Sequence, residues 1–64
     1  MIRVTGMDGR EIMINSDLIE SMSHIPNTTI LILTNGSKYT VKEDMEEIND
    51  RIIKFKASIY KYTL

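Results

Sequence analysis

Sixty-four residues leave room for one domain with a single small core, and the absence of cysteine excludes disulfides, thiolate metal sites and thiol catalysis. A formal net charge of −1 excludes a global field that would gather nucleic acid, anionic lipid or an acidic substrate. Hydrophobic residues make up 42% of the chain and charged residues 27%, a balance that also excludes a disordered segment.

The N-terminal stretch MIRVTGMDGREIMI carries Arg3, Asp8, Arg10 and Glu11 and contains no secretory apolar region. The longest aliphatic run, Ile30 to Leu33, is far too short for a membrane span. Both features point to a cytoplasmic protein without direct membrane insertion.

The segment IRVTGMDGREIMI reads as a hairpin. A two-residue loop would pair Ile2 with Asn15 and set an amide on the apolar face. A three-residue loop, Met7-Asp8-Gly9, pairs Val4 with Ile12 and Ile2 with Ile14. Those four then share one face, with Arg3, Thr5, Glu11 and Met13 on the other. A slip of one residue exchanges the faces, so this sorting selects the longer loop, with Gly9 in the left-handed bulge position.

Asn15, Ser16 and Asp17 make a polar turn. Residues 18–25 fit either a strand or a short stretch of helix. Pro26-Asn27 closes the segment and biases Ile25 towards extended geometry, which favours the strand. Alternation would set Ile19, Ser21, Ser23 and Ile25 on one face and Leu18, Glu20, Met22 and His24 on the other.

The second hairpin, ILILTNGSKYTV, has a loop of the same form, Thr34-Asn35-Gly36. It pairs Leu33 with Ser37 and Leu31 with Tyr39, gathering Leu31, Leu33, Tyr39 and Val41 on one face. Ile30, Ile32, Lys38 and Thr40 take the opposite one. A two-residue loop would exchange the faces. Under either register one aliphatic pair lies outside.

From Glu43 the period changes. Met45, Ile48, Ile52, Phe55, Ile59 and Tyr62 form the stripe of an amphipathic helix over residues 44–62. Asp44 is placed as N-cap, with Glu47 completing a capping box. Glu43, Asp44, Glu46 and Glu47 read as solvated acids at the helix start, while Lys54, Lys56 and Lys61 come late, as the helix dipole favours.

The pattern predicts an α+β fold in one domain, 1–64. A small antiparallel β-sheet of four to five strands occupies residues 1–42, and one C-terminal amphipathic helix covers one of its faces. Ile30, Ile32 and Met13 remain on the other face, and Ile53 and Tyr60 lie outside the helix stripe. Either the two hairpins curl toward a barrel that buries these side chains, or they meet another protein or a second copy. Met13, Ile30, Ile32, Ile53 and Tyr60 are therefore the candidate protein-interaction residues. Asp8, Gly9, Asn35 and Gly36 are structural turn residues.

No catalytic constellation, metal set or cofactor site emerges. His24, the single histidine, reads as a half-exposed strand residue. Gly6, Gly9 and Gly36 do not open into a helix and make no phosphate cradle. Arg51, Lys54 and Lys61 share an outer helix face, with Lys38 and Lys42 near the second hairpin, and would serve a small nucleic-acid-binding regulator. Glu47 and Asp50 interrupt that face and no stacking platform accompanies it, so this is the alternative reading.

The pieces MIRVTGMDGREIMIN, DLIE at 17–20, PNTTILILTNGSKYTVKE at 26–43 and the charged C-terminal helix, in that order, resemble the small FlbD/SwrD flagellar family of bacteria over nearly the whole chain. Ile2, Val4, Thr5, Asp8 and Gly9 match its first hairpin. Asn15, Asp17, Ile19 and Glu20 match the next segment, and Pro26, Thr28, Leu33, Thr34, Asn35, Gly36 and Lys38 the second hairpin. Met7 stands where leucine is usual and Asn27 where aspartate is customary. The run from Pro26 to Gly36 is one residue longer than usual, which suits a bulge.

The shared residues are turn formers and core positions, so no catalytic residue is carried over. The resemblance implies a non-enzymatic accessory protein of bacterial flagellar motility, without a cofactor, that supports motor power and swarming. Its implied partner is a flagellar motor or stator component at the cytoplasmic side of the flagellar base; self-association into a homo-oligomer is the other possibility.

Overall fold

Turn chemistry sets the register of the first two strands. The computed structural model describes the backbone of residues 1–63 and the side chains of residues 1–59. β1 (Ile2–Thr5) and β2 (Glu11–Ile14) pair antiparallel, with Ile2 opposite Ile14 and Val4 opposite Ile12. Gly9 N–H donates to the Gly6 carbonyl at 3.0 Å, and Gly6 N–H to the Arg10 carbonyl at 2.8 Å. Gly9 has φ +87°, in the left-handed region that strains any side chain. Asp8 Oδ1 accepts from the Arg10 N–H at 3.0 Å and fixes the loop.

Asn15 Oδ1 accepts from the Asp17 N–H at 3.0 Å and caps a 3-10 turn over Ser16–Leu18. The next strand, β3 (Ile19–Ile25), agrees with the extended reading of this segment. It pairs with β4 (Thr28–Leu33) across Pro26-Asn27, a third hairpin that sequence patterning treats only as a strand end. Proline cannot supply the positive φ of a type I′ turn at its first position. Asn27 takes φ +64° at the second, the type II pattern.

The face assignment of Ile19 changes. The β3–β4 register shifts between Ile19 and Ser21, leaving Glu20 as an extra residue. Ile19 opposite Leu33 and Met22 opposite Leu31 therefore both look towards the core, where strict alternation separates them. The bulge also lies in β3 rather than in the run from Pro26 to Gly36. β4 pairs with β5 (Lys38–Val41) without interruption from Thr29–Val41 to Ile32–Lys38.

The β4–β5 loop repeats the first. Leu33 N–H donates to the Ser37 carbonyl at 2.8 Å, Gly36 N–H to the Leu33 carbonyl at 2.9 Å, and Gly36 has φ +89°. Asn35 Oδ1 accepts from the Ser37 N–H at 3.0 Å. Leu31, Leu33 and Val41 are buried as the three-residue loop requires, but Tyr39 on the same face stays 37% exposed.

A two-stranded sheet, β1-β2, and a three-stranded sheet, β3-β4-β5, meet at one seam. There Gly6 bridges Val41, and Lys42 N–H donates to the Thr5 carbonyl at 2.8 Å. Among the described residues no ladder joins β2 to β3, so the strands do not close into a barrel and α+β describes the fold.

The helix α1 (Met45–Thr63) is shifted one residue from the predicted 44–62, because Asp44 is its cap. Asp44 Oδ1 accepts from the Glu47 N–H at 2.8 Å. Ile48 is fully buried among Ile2, Val4, Ile14, Leu31, Leu33 and Val41, with Ile52 and Phe55 packed at the margin. The stripe then outruns the sheet. A helix of 19 residues spans roughly 28 Å, the molecule is 38 Å long against 22 and 19 Å across, and Ile59 is 43% exposed. The Tyr62 side chain lies outside the described residues.

Candidate protein-interaction surfaces

Ile30 and Ile32 sit on the central strand of the three-stranded sheet, and alternation turns them away from α1. Ser23 and Thr40 flank Ile30, while Ser21 and Lys38 flank Ile32. Three short hydroxyl side chains and one lysine stem cover the pair only in part, so both are half-buried. Ile25 lies on the same face at the hairpin end and is 38% exposed. Together these form an apolar strip. Ile25 was legible as a member of it only once the β3–β4 pairing was known.

The other candidates lie elsewhere. Met13 is exposed opposite Arg3 on the two-stranded sheet. Ile53 is 57% exposed on the solvent side of α1. Since α1 covers the core face, Ile53 is on the opposite side of the molecule from Ile30 and Ile32. The Tyr60 side chain lies outside the described residues. The four described positions thus do not converge on one patch.

The most organised polar site is one that sequence patterning misses. Glu43, grouped there with solvated acids, is 6% exposed. Its Oε1 accepts from the Thr5 N–H at 2.8 Å and its Oε2 from the Thr5 hydroxyl at 2.9 Å. Arg51 Nη1 donates to Glu43 Oε2 at 2.7 Å and to the Arg3 carbonyl at 2.6 Å. Thr29, fully buried, donates its hydroxyl to the Glu43 carbonyl at 2.8 Å. Burial alone would raise the Glu43 pKa, but the Thr5 N–H, the Arg51 guanidinium, the residue's own N–H and the Thr5 hydroxyl together hold it below the ordinary glutamate value.

The signal that could have found Glu43 is parity. Val41 points into the core, and two residues further an extended chain points the same way. The site binds β1, β4, the strand-to-helix connection and α1 to one another. Its groups are already matched with each other, which makes it a structural tie.

Of the cations that the alternative reading names, Arg51 serves Glu43 and Lys54 Nζ lies 2.9 Å from Asp50 Oδ2, while the Lys61 side chain lies outside the described residues. His24 is exposed beside Asp44, Met45 and Glu46 at the start of α1. Among the described residues no helix is long and apolar enough to cross a membrane.

A family model described as FlbD, flagellar and swarming motility proteins, matches residues 1–60 of the chain. Comparison with curated proteins and with solved structures gives no match.

Proposed function

The chain belongs to the FlbD family of flagellar and swarming motility proteins, and we propose that it serves motility as a non-enzymatic accessory protein. In this reading it docks at the cytoplasmic side on a protein component of the flagellar motor or stator and sustains motor power during swarming. The observation that carries the reading is the extent of the family match. Residues 1–60 take in all five strands, the seam and most of the helix. The apolar strip of Ile25, Ile30 and Ile32 supports docking, because it lies on the sheet face that α1 leaves open.

A photoreactive residue at position 32, crosslinked in swarming cells, tests it. Capture of a motor or stator protein, together with loss of swarming torque in a deletion strain, is the expected result. A deletion strain that swarms with unchanged torque overturns the reading.

A further inference from the structure

Strand β3 is a sheet edge, paired with β4 on one side only. In an antiparallel ladder, residues alternate between bonding the neighbour and pointing away from it. The closing pair of the third hairpin is Ile25 with Thr28. At the far end the Leu18 carbonyl accepts from the Thr34 N–H at 2.8 Å. These two ends, with the shift at Glu20, phase the strand. Ser21, Ser23 and Ile25 bond β4, while the N–H and C=O groups of Met22 and His24 point outward. Neither residue's backbone has a partner outside the ladder among the described residues. The segment IESMSHI also lacks the lysine or proline that commonly blunts such an edge.

The side chains of the same two residues turn towards the start of α1. Met22, Met45, Glu46 and Asn49 line a groove of about 240 Å³. His24, Asp44, Met45 and Glu46 line an adjoining one of about 430 Å³. The two share Met45 and Glu46, so they form one trough along the open edge. Its apolar floor is Met22 and Met45, and its acidic rim is Asp44 and Glu46.

We propose that this edge receives an extended, basic segment of a partner protein, added to the sheet as a further strand. Laid about 4.8 Å from β3, the segment bonds the free backbone groups of Met22 and His24. Every second side chain then enters the trough. Lysine or arginine fits there, its methylene stem over Met22 and Met45 and its charged head at Asp44 and Glu46. The alternate side chains fall beside Ser21, Ser23 and Ile25 and extend the apolar strip. A second copy pairing through the same edge would set acid against acid, which favours a partner of opposite charge. The inference rests on the reading that the chain works by binding another protein, and it names the segment that is bound.

The probe is a synthetic peptide alternating valine and lysine, titrated into the isotope-labelled full chain, with a valine–glutamate peptide as control. Exchange protection at the Met22 and His24 amides with the lysine peptide alone is the expected result. His24→Pro removes an outward N–H at no cost to the ladder and should weaken binding about tenfold. Glu46→Lys should weaken it about threefold. Circular dichroism and thermal melts establish that each variant folds. Equal binding of the two peptides, or protection confined to other amides, overturns the proposal. In cells, a deletion that abolishes swarming while both variants swarm normally also overturns it and leaves the functional reading standing. A deletion without phenotype overturns that reading instead, and the peptide titration decides the edge by itself.

Discussion

The guanidinium of Arg51 lies 2.7 Å from the Glu43 carboxylate and 2.6 Å from the Arg3 carbonyl, so one side chain fastens α1 both to β1 and to the connection that leads into the helix. Arg51→Ala leaves a nearly buried carboxylate with the Thr5 donors and its own N–H but no countercharge. The expected loss is about 1.5–3 kcal/mol. It is smaller than for a fully buried pair, because the Arg51 side chain is 40% exposed. Arg51→Lys keeps the charge, but its shorter side chain does not bring a donor to the position of Nη1, the one nitrogen that serves both acceptors, and it should recover only part of the loss. Urea unfolding midpoints read both variants, and an unchanged midpoint for Arg51→Ala would show that the tie carries no stability.

The same carboxylate gives the fold an acid sensitivity with a definite sign. The Glu43 pKa is lower in the folded chain than the ordinary value it regains on unfolding. Its contribution is therefore complete above the unfolded value and is lost as pH falls through the folded one. Unfolding midpoints measured from neutral pH down through the carboxylate range should fall for the native chain. Glu43→Gln should start lower and fall less steeply. Parallel profiles for the two proteins would contradict the assignment.

Gly36→Ala and Gly6→Ala invert the order that burial suggests. Gly36 is exposed, and an added Cβ there meets nothing within 4 Å, but its φ is +89°. The cost is conformational, about 1–2 kcal/mol. Gly6 is buried, yet its Cβ would meet only the side-chain ends of Asp8 at 3.1 Å and Ile12 at 3.3 Å within the tight range. The Ile12 end can give by a few tenths of an ångström, and Asp8 can do so by lengthening its 3.0 Å bond to the Arg10 N–H. Gly36→Ala should thus lower the thermal midpoint more than Gly6→Ala does.

Those turns were also where the sequence spoke most clearly. Asp8-Gly9 and Asn35-Gly36 each admit two loop lengths. At the first, one slip of register would have put Asn15 opposite Ile2, so the apolar pattern chose the pairing that the structure has. At the second, either register leaves an aliphatic pair outside, and only the likeness of the two loops pointed to the observed pairing. The bulge at Glu20 left no such mark. It moves Ile19 to the core face through a local backbone departure that composition does not encode. Glu43 was obscured by its acidic neighbours, although it belongs to the strand's alternation and they belong to the helix. Of the candidate surface, the outward direction of Ile30 and Ile32 follows from alternation once the three-residue loop at Thr34-Asn35-Gly36 is chosen. The open edge at Met22 and His24 does not, because its phase depends on where β3 meets β4 at both ends.

One stripe of α1 does two different things, and a pair of identical substitutions separates them. Ile48 is fully buried against both sheets, whereas Ile59, about three turns later, is 43% exposed beyond their end. Alanine favours the helix over isoleucine at both positions, so local propensity shifts both variants in the same direction. The difference between them reports tertiary burial. Ile48→Ala should cost about 2–5 kcal/mol through lost transfer energy and the cavity left behind. Ile59→Ala should stay within about 0.5 kcal/mol of the native chain. Denaturant midpoints at low protein concentration make the comparison, and an Ile59→Ala loss approaching that of Ile48→Ala would mean that the projecting turns are packed against something in solution.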